Sequence, residues 1–133
     1  MSVRYDADQA PDPAAWLAAA PADRLAAITD HHLARPDRIH PEGYRLQIHA
    51  RLHHAIETQI AAGEPPIVAA TIDRLCAQGL RRHVALHLVA EVLLRWMSTG
   101  LPFDPVAYDT ELRRLDAATW LGRAMRRTLG SPE

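Results

Sequence analysis

Apolar residues recur along most of this chain at the spacing of an α-helix, and prolines and glycines separate the apolar segments. The pattern predicts helices over about 14–20, 21–34, 44–62, 67–78, 80–98 and 105–129. No segment shows the sustained alternation that is typical of a strand. We therefore predict an all-α, single-domain helical bundle of about five to six helices over residues 1–133, with its core motif region at 44–98 and with residues 1–11 disordered or extended.

The third predicted helix carries two histidines and a glutamate on or beside its apolar face. His49 and His53 lie one helical turn apart and Glu57 follows one turn later, in the pattern His-x-x-x-His-x-x-x-Glu. Leu46 and Ile56 belong to the same stripe, so the pattern predicts that the two imidazoles point inward.

The fifth predicted helix repeats this pattern with His83, His87 and Glu91. Every residue in the range 84–94 is apolar except His87 and Glu91, which predicts a helix at the centre of the core. Burying an unpaired polar group costs about 1–3 kcal/mol, so these side chains need partners. Antiparallel packing against the third helix would supply them.

Facing histidine pairs at this spacing are typical of a metal site inside a helical bundle. Imidazoles at positions i and i+4 project from one face and can reach one ion or two adjacent ions. His32, on the inner stripe of the second helix, could add another imidazole. The candidate metal ligands are therefore His49, His53, Glu57, His83 and His87, with His32 and Glu91 as additional candidates.

The types of ligand limit the candidate metals and reactions but do not identify a single one. Imidazole and carboxylate together suit several transition metals, of which we expect iron or zinc. The set exceeds what one tetrahedral zinc needs, which favours a two-metal centre or one ion with spare groups around it. Redox or oxygen chemistry and metal-assisted hydrolysis both stay open, as does the question of whether the protein is an enzyme.

The alternative is a non-catalytic helical adaptor or regulatory module whose histidines form a structural polar network. A single His-x-x-x-His pair is weak support for a metal, and two pairs that each precede a glutamate are stronger. The other histidines, His31, His40 and His54, lie off the inner stripes or in a loop, and we expect them at the surface.

Composition excludes several other classes. The net charge of −1 offers no basic field for nucleic acid or an anionic membrane, and the single cysteine, Cys76, rules out an internal disulfide and a cysteine-rich zinc site. The chain shows no phosphate-binding glycine loop, secretory signal or apolar run of spanning length, which predicts a cytoplasmic protein. A homodimer is possible, we expect neither nucleic acid nor membrane as a partner, and the small-molecule substrate is unknown.

The segments IHARLHHAIETQI, GEPPIVAATIDRL and GLRRHVALHLVAEVL together resemble the bacterial domain-of-unknown-function 1841 family. The resemblance spans 46–94 and places the family's paired motifs on His49, His53 and Glu57 and on His83 and His87. It implies a helical fold and a shared site, and it implies no activity because the family is functionally unassigned. The order of histidines and glutamate along successive helices is also similar in outline to hemerythrin, as an analogy of ligand pattern alone.

Overall fold

The computed structural model describes residues 3–34 and 45–128, and the regular elements in these ranges are all α-helices. This confirms the all-α prediction. The helices are α1 Pro13–Ala18, α2 Pro21–Ala34, α3 Leu46–Ala62, α4 Pro66–Ala77, α5 Arg82–Thr99, α6 Pro105–Arg114 and α7 Ala117–Thr128. No helix among the described residues is both long enough and apolar enough to cross a membrane.

The predicted last helix is two helices, α6 and α7, and the described ranges therefore hold seven helices instead of the five to six expected. The chain becomes extended at Leu115, where the Arg74 guanidinium donates to the carbonyl oxygens of Leu112 and Leu115 at 3.0 and 2.6 Å. The Asp116 carboxylate then accepts from the backbone N–H of Thr119 at 2.7 Å, as a residue that precedes a helix does. The break is stabilised by these contacts, of which those of Arg74 come from a distant part of the sequence.

The other helix ends follow the local signals in the sequence. Asp12 and Asp104 cap α1 and α6, since each carboxylate accepts from a backbone N–H in the first turn of its helix. Gly63 ends α3 with a φ of 70°, a conformation that glycine adopts without steric cost.

The core is centred on α3 and α5. These two helices contact each other, and between them they also contact α1, α2, α4 and α6. The buried apolar side chains of α5 are Val84, Ala85, Leu86, Leu88, Val89, Ala90 and Val92. This confirms that α5 is a central helix, and its histidines are therefore brought against neighbouring helices.

Tyr108 of α6 gives one testable consequence of this packing. Its side chain is buried and its hydroxyl donates to Gln59 Oε1 on α3 at 3.1 Å. Burial raises the pKa of Tyr108 from 10.0 to about 12. Because the folded protein holds this proton more tightly than the unfolded chain does, the stabilisation is complete below pH 10 and is lost as the pH rises through 12.

We expect denaturant unfolding to show this loss between pH 10 and pH 12, at about 1.4 kcal/mol per unit of pKa difference. A Tyr108→Phe variant should lose less stability than the wild type over the same interval, because it has no proton to release. An identical pH dependence of the two proteins would contradict the prediction.

Candidate metal centre

Five of the chain's histidines converge where α2, α3 and α5 meet. His32 comes from the end of α2, His49 and His53 from α3, and His83 and His87 from α5. The pairs on α3 and α5 are each four residues apart, so each pair occupies one helix face. We call these five residues the histidine cluster.

Four members of the cluster could hold a metal ion. One ring nitrogen from each of His32, His49, His53 and His83 lies within 4.8 Å of the corresponding nitrogens of the other three. Nitrogen ligands about 2.0–2.1 Å from a tetrahedral zinc ion stand about 3.3 Å from one another, so small side-chain movements would bring these atoms to that geometry. His32, His53 and His83 are buried and His49 is half-buried.

The orientation of His32 leaves its Nε2 atom directed into the cluster. Its Nδ1 lies 2.8 Å from the carbonyl oxygen of Ile28, to which only a protonated nitrogen can donate. When the ring is neutral, its lone pair is therefore on Nε2, which lies 3.0 Å from His49 Nε2. A ring nitrogen held on a backbone carbonyl while the other faces inward is the usual arrangement of a metal-binding histidine.

Three side chains, connected to one another by hydrogen bonds, hold the Nδ1 side of the His53 ring. The Tyr5 hydroxyl donates to Glu57 Oε2 at 2.6 Å, so its oxygen accepts from the protonated Nδ1 of His53 at 3.0 Å. Arg82 in turn donates to both oxygens of Glu57, at 2.6 and 2.7 Å. The lone pair of His53 is consequently on Nε2, which is buried and has no hydrogen-bond partner among the described residues.

The pKa shifts of His53 and Tyr5 agree with the proton positions that these hydrogen bonds require. Burial lowers the pKa of His53 well below 6.5, and the positive charge that His49, His32, His87 and His83 would carry when protonated lowers it further. Burial and the neighbouring Glu57 raise the pKa of Tyr5 well above 10.0. His53 is therefore neutral, which is the form that binds a metal, and Tyr5 remains a hydrogen-bond donor.

His87 lies beside the group of four. Its Nε2 is 3.0 Å from His49 Nε2, and its ring centroid is 4.8 Å from that of His83. The side chain is half-buried, as is that of His49. These two imidazoles mark the more accessible side of the cluster.

The two glutamates of the repeated motif, Glu57 as a candidate ligand and Glu91 as an additional candidate, are not in the group of four. Glu57 is buried behind His53, with both oxygens engaged by Arg82 and Tyr5. Glu91 is exposed, and its carboxylate lies 3.9 Å from Arg123 of α7.

The register of α3 against α5 explains these positions. Ring centroids of His49 and His87 are 4.5 Å apart and those of His53 and His83 are 5.1 Å apart, whereas His49 and His83 are 6.4 Å apart. The helices therefore pack antiparallel, as the sequence predicted. Antiparallel packing reverses the order of one motif, so that the two glutamates lie at opposite ends of the histidine cluster.

Tyr5 and Arg82 are the residues of the candidate site that the sequence reasoning missed. Arg82 is the first residue of α5 and directly precedes His83, but no spacing rule links it to a glutamate on another helix. Tyr5 lies in residues 3–11, which form neither helix nor strand. An aromatic residue in a stretch expected to be disordered or extended was the one available signal.

The remaining histidines flank the cluster or lie apart from it. His31 is half-buried and its Nε2 is 3.5 Å from the backbone N–H of Ala7, which donates to it. His54 is half-buried against Trp16, with its Nε2 3.5 Å from Arg24. His40 lies outside the described residues.

The fold and the cluster define an all-α protein with a buried group of imidazoles that could hold a metal ion. Comparisons with protein-family models, curated proteins and solved structures find no match to this chain. The resemblance to the domain-of-unknown-function 1841 family therefore stays a prediction, as do the homodimer and the cytoplasmic location.

Proposed function

We propose that this chain is a metal-binding helical protein that holds a divalent transition-metal ion within the histidine cluster. The observation that carries the proposal is the buried Nε2 atom of His53. The ring lies 4.5–5.1 Å, centroid to centroid, from those of His32, His49 and His83, and its Nε2 meets no donor among the described residues, which is costly unless something binds there. A metal ion is the partner that several neutral imidazoles share.

The geometry favours one ion over the two-metal centre that the sequence also allowed. Two-metal sites place their ions about 3.5–4 Å apart and need enough ligands to surround both. The carboxylates that would supply such ligands are engaged elsewhere, since Glu57 binds Arg82 and Glu91 is exposed. The metal-binding group that the described residues form consists of imidazoles alone.

An all-imidazole set suits zinc and ferrous iron and also copper and nickel. If all four members of the group bind, a tetrahedral zinc is closed and its role is structural. If three bind and water takes the fourth position, the ion can act as a Lewis acid in hydrolysis. The half-buried His49 is the ligand that water would replace with the least rearrangement.

The rival proposal is a non-catalytic adaptor in which the cluster is a structural polar network. The spacing of 3.0 Å between the Nε2 atoms of His32 and His49, and between those of His49 and His87, is compatible with hydrogen bonds inside such a network. The network nevertheless leaves Nε2 of His53 unsatisfied among the described residues.

Elemental analysis by plasma mass spectrometry, on untagged protein purified without added metal or chelator, tests the proposal. We expect about one transition-metal ion per chain, and a thermal melt that shifts to lower temperature when a chelator removes the ion. The identity of the metal then directs the assays toward hydrolysis or redox chemistry. Substoichiometric metal that does not rise on reconstitution with zinc or ferrous iron would overturn the proposal in favour of the polar network.

A further inference from the structure

Residues 3–9 form a strap across α3 and α5, the helices that carry four of the five histidines of the cluster. Tyr5 and Ala7 of the strap are buried. The carbonyl oxygen of Ala7 accepts from Arg82 at 3.2 Å, and Asp8 Oδ1 accepts from the backbone N–H of His83 at 3.1 Å. The strap is therefore fastened to residues that either belong to the cluster or directly support it.

Tyr5 connects this strap to a single ring nitrogen of the cluster. Its hydroxyl proton is committed to Glu57, so its oxygen can only accept from His53 Nδ1. If the proton of His53 moved to Nε2, this bond would be lost and the Nε2 lone pair, which is the one available to a metal ion, would disappear. The docked strap thus selects the tautomer of His53 that can bind a metal.

We propose that docking of the strap and metal binding are coupled, with Tyr5 as the positioning residue that transmits the coupling to His53. The inference rests on the proposed function, because it concerns the same ion. By thermodynamic linkage, the factor by which the docked strap raises metal affinity equals the factor by which bound metal strengthens docking. The coupling can therefore be measured either as a change in metal affinity or as a change in the docking of the strap.

The first test measures the affinity of the full chain for Zn²⁺ by competition with a chromophoric chelator. Tyr5→Phe should weaken binding by about 10–100-fold, the usual effect of removing the group that orients a metal-binding histidine, without changing the stoichiometry. Tyr108→Phe is the matched control, because that buried hydroxyl bonds to Gln59 and not to a histidine of the cluster. It should leave the affinity unchanged.

Nitrogen-15 NMR of the imidazole rings gives a readout that a purely structural role of Tyr5 would not move. In the metal-free wild type we expect the proton of His53 on Nδ1, and in Tyr5→Phe we expect a mixture of the two tautomers. An unchanged tautomer in the variant would overturn the assignment of Tyr5 as a positioning residue.

The second test uses the wild type alone, so it holds even if Tyr5→Phe fails to fold. The backbone N–H groups of Ala7 and His83 make hydrogen bonds that exist only when the strap is docked. Zn²⁺ should slow their hydrogen exchange more than it slows exchange in α6, which lies away from the cluster. Equal changes in both regions would overturn the coupling.

The outcomes separate the two proposals. A wild type that binds no Zn²⁺ overturns the proposed function and the coupling together. A wild type and a Tyr5→Phe variant that bind Zn²⁺ equally well overturn the coupling alone and leave the metal site standing.

Discussion

Replacing His53 by alanine is expected to abolish stoichiometric metal binding, with a loss of affinity of at least about 100-fold, because a ligand matters more than the outer groups that orient it. His53 has the lowest exposure in the cluster, and its Nε2 makes no hydrogen bond among the described residues. The measurement is Zn²⁺ affinity by competition, with elemental analysis of the protein as purified.

His54→Ala is the matched control for this prediction. It removes an imidazole from the adjacent position of the same helix, but His54 packs against Trp16 and Arg24, outside the cluster. The variant should bind Zn²⁺ like the wild type. If the His53 and His54 variants retain equal metal, and only stability falls, then His53 is not a ligand and the polar network is the correct description.

Glu57→Gln is expected to destabilise the metal-free protein by about 3–5 kcal/mol, the usual cost of removing one partner of a buried ion pair. The Glu57 side chain is 0% exposed and that of Arg82 is 11% exposed. Water therefore cannot solvate the guanidinium charge of Arg82 that remains when the carboxylate is removed. The amide is nearly the same size as the carboxylate, which limits the effect to charge and hydrogen bonding. Denaturant unfolding with a chelator present measures it.

The control is Glu91→Gln, which makes the same chemical change at the corresponding position of the second motif. Glu91 is exposed and 3.9 Å from Arg123, and pairs of that kind contribute at most about 1 kcal/mol. A loss of stability that is equal in the two variants would contradict the different surroundings described for the two glutamates.

Much of the fold could be predicted from the sequence because its determinants are local. The α2 helix has the predicted bounds, and prolines, glycines and aspartates end or begin several others where expected. The break between α6 and α7 was not predicted, because Arg74, which binds the last carbonyl groups of α6, comes from a distant part of the chain.

The site was predictable in part for the same reason. Residues four apart on a helix share a face whatever the rest of the chain does, so the pairs on α3 and α5 were visible in the sequence. The third contributor, His32, follows from the inner stripe of α2, and the structure places its Nε2 atom 3.0 Å from His49. The roles of the glutamates were not predictable from spacing, because they depend on what packs against each helix end.

The sequence by itself determined that the chain is helical and that two helices each present a histidine pair on one face, since both properties follow from backbone periodicity. Only the tertiary structure decided which polar groups meet. Antiparallel packing of α3 on α5 directs Glu57 toward Arg82 and leaves Glu91 at the opposite end, in solvent. The tertiary structure also places Tyr5, 48 positions away in the chain, against His53, and no local sequence pattern encodes a contact between residues so far apart.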